Sequence, residues 1–150
     1  MISARSDDAL ALERQVCFAL AVASRAVIGI YRPILEPLGL THPQYLVMLA
    51  LWQHAPLSVK ELGRLLALEP ATLSPLLKRL EAIGYLERGR DSADERQLAV
   101  TLTDTGRALR ERALDVPPAV IEQLGLPVED LEALHAHLTK VITAARKDPA

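Results

Sequence analysis

Residues 58–103 read SVKELGRLLALEPATLSPLLKRLEAIGYLERGRDSADERQLAVTLT, and the spacing within them decides the fold. Ser58 and Glu61 stand in the S-x-x-E pattern, in which hydroxyl and carboxylate each satisfy an orphan backbone donor, so a helix is expected to open there. Its core face is expected at Val59, Leu62, Leu65 and Leu66. Leu73, Leu76, Leu77 and Leu80 recur at i, i+3, i+4 and i+7 and carry a second helix, with Gly84 suited to the left-handed residue that stops it. Pro75 is costly deep inside a helix, which favours a start nearer Thr72 than Glu69 and places the turn at 67–71.

After Gly84, YLERGR and QLAVTLT are strand-like runs joined by the polar DSADER, with Leu98, Val100 and Leu102 alternating in the second. Helix, turn, helix and charged hairpin is the order of a winged helix-turn-helix, a shape that enters a DNA groove. At roughly 100° per residue the leucine stripe leaves Ala71, Ser74, Pro75, Lys78 and Ala82 pointing outward, with Thr72 and Arg79 on the flanks. Small and hydroxylated residues come first and cations later, which suits base edges near the helix start and phosphates farther along. Arg88, Arg90 and Arg96 sit on or beside the hairpin tip, where an arginine can enter a narrow minor groove, and Asp94 can orient Arg96. The competing reading is an ordinary amphipathic helix and a solvated hairpin whose charges pair with one another.

TLSPLLKRLEAIGYLERGR and DSADERQLAVTLTDTG resemble the recognition helix and wing of the multiple-antibiotic-resistance regulator (MarR) family, including the D-x-R of Asp94 and Arg96. The resemblance covers most of the chain. It implies that Thr72, Ser74, Pro75, Lys78 and Arg79 face the major groove of double-stranded DNA and Arg96 the minor groove.

Charge does not point to DNA by itself. The 150 residues carry a formal net charge of -2, and residues 58–103 hold as many Lys and Arg as Asp and Glu. Binding is then expected to depend on where the fold places its cations, on a dimer doubling the contacts, and on salt. Half the chain is hydrophobic but only 3% is aromatic, so aliphatic helix packing must supply the core. Residues 1–150 are expected to form a single domain, with no internal linker, repeat or low-complexity tract.

Outside the winged segment, Asp7 or Asp8 is expected to cap a long helix running to about Tyr31, with Pro33 perturbing it. Thr41 or His42, followed by Pro43, opens PQYLVMLALWQHA, in which Trp52 is most simply core. Thr103 and Asp104 open a fifth helix interrupted at Pro117-Pro118. Pro127 begins a last one, striped by Leu131, Leu134, Leu138, Val141 and Ile142. The expected class is mainly α with a small β hairpin (α+β), in the order ααααββαα, with the winged segment at 58–103 and dimerisation helices at 7–40 and 104–147. Those terminal helices carry more apolar surface than a small winged domain can cover, so a homodimer and an inverted-repeat operator are expected, with recognition helices about 34–36 Å apart.

The N-terminal run has Arg5, Asp7 and Asp8 and no signal-peptide core, and the most apolar stretch contains Arg25, so no membrane segment and a cytoplasmic location are expected. The single cysteine excludes an intrachain disulfide. Leu10, Cys17, Ser24 and Tyr31 recur every seven residues, which places Cys17 on an inward seam of the first helix. Taken alone, such a cysteine most often packs as a small inert hydrophobe.

VCFALAVASRAVIGIYRPILEPLGLTHPQYLVMLALW is similar to the organic-hydroperoxide-responsive repressors of the same family. The resemblance implies that Cys17 is a sensing thiolate hydrogen-bonded by two tyrosines of the partner subunit. The matching positions here hold Tyr31 and His42. Tyr31 lies about 21 Å along the helix from Cys17, too far for contact within one chain. As an imidazolium, His42 would favour the thiolate more strongly than a phenol does.

The implied mechanism is oxidation of Cys17 by an organic hydroperoxide to a sulfenic acid, helix movement and DNA release, followed by capture of a low-molecular-weight thiol. Three other readings remain open: a regulator released by an aromatic or anionic ligand with Cys17 only structural, a winged-helix module that does not bind DNA, and a one-cysteine peroxidase. An enzyme is not expected, nor are a cofactor or a metal, since His42, His54, His135 and His137 form no zinc spacing.

Overall fold

The structure is a computed structural model that describes residues 7–90 and 98–146. Among the described residues seven α-helices and three short strands follow one another: α1 (Val16–Leu35), α2 (His42–His54), β1 (Leu57–Ser58), α3 (Val59–Leu66), α4 (Pro70–Ile83), β2 (Leu86–Arg90), β3 (Leu98–Leu102), α5 (Asp104–Ala113), α6 (Val116–Leu124) and α7 (Val128–Ala145). The sheet is antiparallel in the order β1-β3-β2, with Arg88 opposite Val100 and Leu57 opposite the same residue on the other edge. The mainly helical class and the winged order are as expected. The sheet gains a third strand, because the two residues before the Ser58 cap are extended and pair with β3. A strand that short leaves no alternation to read.

The capping box is present: the Ser58 amide donates to Glu61 Oε1 at 3.1 Å, and the Glu61 amide donates to Ser58 Oγ at 3.0 Å. Thr41 and Gln44 form a second one at the start of α2. The recognition helix α4 begins at Pro70 rather than near Thr72. Proline at the first helical position has its φ pre-set and lacks a donor that would be unpaired anyway, which outweighs the cost of Pro75 farther in. Pro75 removes the partner of the Ala71 carbonyl, but Ala71 is exposed and water can take that place. The turn is therefore 67–69, shorter than expected.

Leu73, Leu77 and Leu80 are fully buried and Leu76 packs against the same core, while Gly84 is left-handed at φ 98°. On α3 the stripe is narrower than expected: Leu62 is fully buried, but Leu65 faces outward. The core is aliphatic, built on Leu35, Met48, Leu51, Leu62, Leu73, Leu77, Leu80, Leu86, Val100 and Val116.

Gly106 is the tightest point of the fold. A Cβ there would lie 1.9 Å from the Tyr85 carbonyl oxygen, so only glycine lets α5 seat on the end of the recognition helix. Thr103 Oγ1 accepts from the Gly106 amide at 3.0 Å and donates to the Gly84 carbonyl at 2.6 Å. The Tyr85 hydroxyl donates to the Leu38 carbonyl at 2.8 Å, and the Trp52 indole N–H to the Gly106 carbonyl at 2.9 Å. Trp52 is thus half-buried and polar-anchored, and the ends of α1, α4 and the wing meet at one knot.

The terminal helices differ from expectation in detail. α1 begins only at Val16, because 7–10 and 12–14 are single turns of tighter 3-10 helix and Gln15 is extended. It runs on to Leu35 with Pro33 in its last turn. The stretch Val16–Leu38 has the length and mean hydropathy, 1.5, of a segment able to cross a membrane, although Arg25 and Arg32 stand on it and Leu35 and Leu38 end in the core. At the C-terminal end the interruption at Pro117-Pro118 makes two helices, α5 and α6, so three helices follow the wing. α7 buries none of its residues.

Candidate functional site

Two sets of residues matter: the outer face of the winged segment, and the surroundings of Cys17, Tyr31 and His42. On α4, the leucine stripe turns Thr72, Ser74, Pro75, Lys78 and Arg79 outward, and all five are exposed. Arg79 also lines a cleft of about 650 Å3 between the end of α1 and the start of α2, together with Arg32, Glu36 and His42. The recognition helix and the α1–α2 junction therefore share a wall.

Arg88 sits differently from the tip position its sequence suggests. Its guanidinium donates to Glu81 Oε1 at 3.0 Å, and its amide donates to Glu81 Oε2 at 3.2 Å. These bonds hold the Glu81 carboxyl below its usual range. Arg88 thus clamps the first wing strand to the last turn of α4 through one of its guanidinium nitrogens. The spacing of seven between the pair is the signal sequence reading missed. Arg90 ends β2 opposite Leu98. Asp94 and Arg96 lie outside the described residues.

Cys17 is exposed in the second position of α1. Cys17 and its neighbours Val16 (64% exposed), Phe18 (42%) and Val22 (40%) stand uncovered among the described residues, whereas Leu20, Val27 and Tyr31, farther along the same heptad seam, are partly buried. The seam read from the heptad spacing is therefore inward at its Tyr31 end, where Tyr31 packs against the core, and open at Cys17. Tyr31 is half-buried on the same continuous helix, about 21 Å from Cys17 along the axis.

At that far end Tyr31 and His42 do come together. Their ring centroids are 4.7 Å apart with planes tilted by 59°, and Tyr45 adds a third ring 5.8 Å from Tyr31. Burial raises the Tyr31 hydroxyl pKa and lowers that of His42. Burial thus disfavours the imidazolium form of His42 and favours a neutral ring that can donate one hydrogen bond. Among the described residues no group of three His, Cys, Asp or Glu side chains could hold a metal ion.

Known proteins share this architecture. Residues 29–112 match the family model described as transcriptional regulator SarA/Rot. The organic hydroperoxide resistance transcriptional regulator of Bacillus subtilis is 41% identical over 131 residues, 87% of this chain and 89% of that protein. AbfR of Staphylococcus epidermidis, solved bound to DNA in both reduced and overoxidized form, is 35% identical with a TM-score of 0.74, covering 92% of this chain and 96–97% of that one. BpsR of Bordetella bronchiseptica, whose DNA binding is regulated by 6-hydroxynicotinic acid, is 28% identical with a TM-score of 0.78, covering 86% and 94%. With its winged helix-turn-helix, exposed recognition face and these relatives, the chain belongs to the SarA/Rot family of MarR-type winged-helix transcriptional regulators and is a DNA-binding regulator, not an enzyme.

Proposed function

We propose that this chain is a homodimeric, cytoplasmic repressor that leaves an inverted-repeat operator when an organic hydroperoxide oxidises Cys17. The observation that carries the reading is the layout of α1. A thiol stands exposed among the exposed apolar side chains of Val16, Phe18 and Val22 at one end, and a Tyr31–His42 pair stands with Tyr31 14 residues away at the other. Two such helices run against each other by two-fold symmetry bring each subunit's Cys17 toward the partner subunit's Tyr31 and His42. The apolar faces of α1 and α7 then become an interface, which accounts for the hydropathy of Val16–Leu38 without a bilayer.

In this reading the Cys17 thiolate attacks the peroxide oxygen, the O–O bond breaks, and the hydroperoxide leaves as an alcohol after taking up a proton. Cys17 becomes a sulfenic acid. With no second cysteine in the chain, a small thiol then attacks the sulfenic sulfur, forming a mixed disulfide and releasing water. Release of DNA is assigned chiefly to this bulkier adduct, because the S. epidermidis relative is found on DNA even when overoxidized. Movement at the Tyr31–His42 end reaches the recognition helix through the wall shared with Arg79 and through the Tyr85 bond to Leu38. On the DNA side, Thr72, Ser74, Pro75, Lys78 and Arg79 are assigned to the major groove, and Arg90 and Arg96, oriented by Asp94, to the wing contact.

A second reading is favoured by the cleft itself. Arg32, Arg79 and His42 offer cationic and hydrogen-bonding groups beside apolar walls, a setting for a small aromatic anion of the kind that regulates the B. bronchiseptica relative. Cys17→Ser separates the two. It retains release under the ligand reading and loses release by organic hydroperoxide under the thiol reading, as a mobility-shift assay on the upstream DNA would register.

A further inference from the structure

A second cleft, of about 590 Å3, lies beside the turn that joins α3 to the recognition helix. Lys60 and Arg64 enter it from α3, the turn supplies Leu68 and Glu69, and Arg146 reaches it from the end of α7. We propose that this cleft holds a backbone phosphate at the edge of the groove that α4 enters, with Lys60, Arg64 and Arg146 as its ligands.

Three observations carry the assignment. First, the charge in the cleft is uneven: three cations stand against the single carboxylate of Glu69, and among the described residues none of the three cations is within ion-pair distance of a carboxylate. All three are exposed and free to meet an anion. Arg64 does lie one helical turn from Glu61, but that carboxylate is already bonded to the Ser58 amide.

Second, the location is where a phosphate has to be. When the second helix of a helix-turn-helix enters the major groove, the first crosses the sugar-phosphate backbone. Lys60 and Arg64, at i and i+4, share the face of α3 opposite the fully buried Leu62. The floor is also stiff. The Leu68 amide donates to the Gly63 carbonyl at 2.9 Å, and a Cβ on Gly63 would lie only 2.9 Å from the Leu68 carbonyl oxygen, so α3 and the turn are closed tightly on each other.

Third, the cleft answers the electrostatic deficit of the winged segment. Residues 58–103 are formally neutral, so a cation contributed from outside the segment shifts the balance of the DNA footprint toward positive. Arg146 is such a cation, and it is delivered by a helix outside the segment. The proposal rests on DNA binding alone and stands or falls independently of Cys17.

The test is the salt dependence of affinity, measured with the full chain in reductant on two labelled duplexes, one from the region upstream of its own gene and one of scrambled sequence. Each phosphate contact contributes about 0.9 to the slope of log affinity against log salt concentration. Lys60→Ala, Arg64→Ala and Arg146→Ala are each expected to lower the slope by about that amount per bound chain, and to weaken binding to both duplexes alike, by about three- to tenfold. Arg146→Lys should keep the slope. Lys140→Ala, on an exposed stretch of α7 away from the cleft, should leave it unchanged.

Slopes equal to the unaltered protein in all three alanine variants would overturn the assignment, as would an equal drop in the Lys140 control or a loss confined to one duplex. Unchanged thermal unfolding is expected for these surface variants, so a fallen slope in a folded variant supports the cleft. If the unaltered protein bound neither duplex, DNA binding itself would be contradicted, and the cleft with it.

Discussion

His42 stands where the resemblance calls for a phenol, and its surroundings decide what it can do there. Packed on Tyr31 and partly withdrawn from water, it holds its proton less readily than a free imidazole. A folded-state pKa below the unfolded value of 6.5 gives stability that is fully present above 6.5 and is lost as pH falls through the lowered value. Thermal unfolding monitored by circular dichroism should therefore show a midpoint that drops on acidification below pH 6.5, and His42→Phe should remove that component. An identical pH dependence in the variant would contradict the burial argument. Gly106 is the other residue with a sharp expectation. Because any Cβ collides with backbone of Tyr85 that cannot swing aside, Gly106→Ala should cost about 2–3 kcal/mol in denaturant unfolding. Wild-type stability in that variant would mean the α5 seat is looser than described.

Among the elements, the recognition helix and its stop were legible because leucine periodicity and a left-handed glycine are local signals. The Ser58 box was legible for the same reason. What escaped reading is set by partners distant in sequence. β1 exists only because β3 pairs with it, and which leucines of α3 are covered, Leu62 but not Leu65, is decided by the elements that pack on that helix; the start of α1, by contrast, follows an extended Gln15. In the candidate site, Tyr31 and His42 stand out in the sequence, but their ring contact and its effect on His42 exist only in the fold. The Arg88–Glu81 pair joins two elements, so the clamp it makes is not visible in either element's sequence alone. Glu81→Gln should loosen the wing strand from α4. Hydrogen exchange at the Arg88 amide should then accelerate, since that N–H loses a charged acceptor. If the exchange rate did not change, the clamp would be incidental.

At the scale of the whole molecule, a single chain leaves two long apolar faces open. Leu134, Val141 and Ile142 on α7, and Val16, Phe18 and Val22 on α1, are too much apolar surface for a lone soluble subunit. Light scattering should report twice the 16.4 kDa chain mass, and Ile142→Asp should shift the population toward single chains. A single-chain mass for the unaltered protein at micromolar concentration would remove the basis for a site shared across subunits. The most direct measurement of the central claim is a mobility-shift series on the duplex upstream of the gene, comparing the unaltered protein with Cys17→Ser. Each is treated with an organic hydroperoxide and a small thiol, and then with a strong reductant. The account predicts that both bind before treatment, that only the unaltered protein is released, and that reductant restores its binding. Release of the Cys17→Ser protein by the same treatment would contradict it.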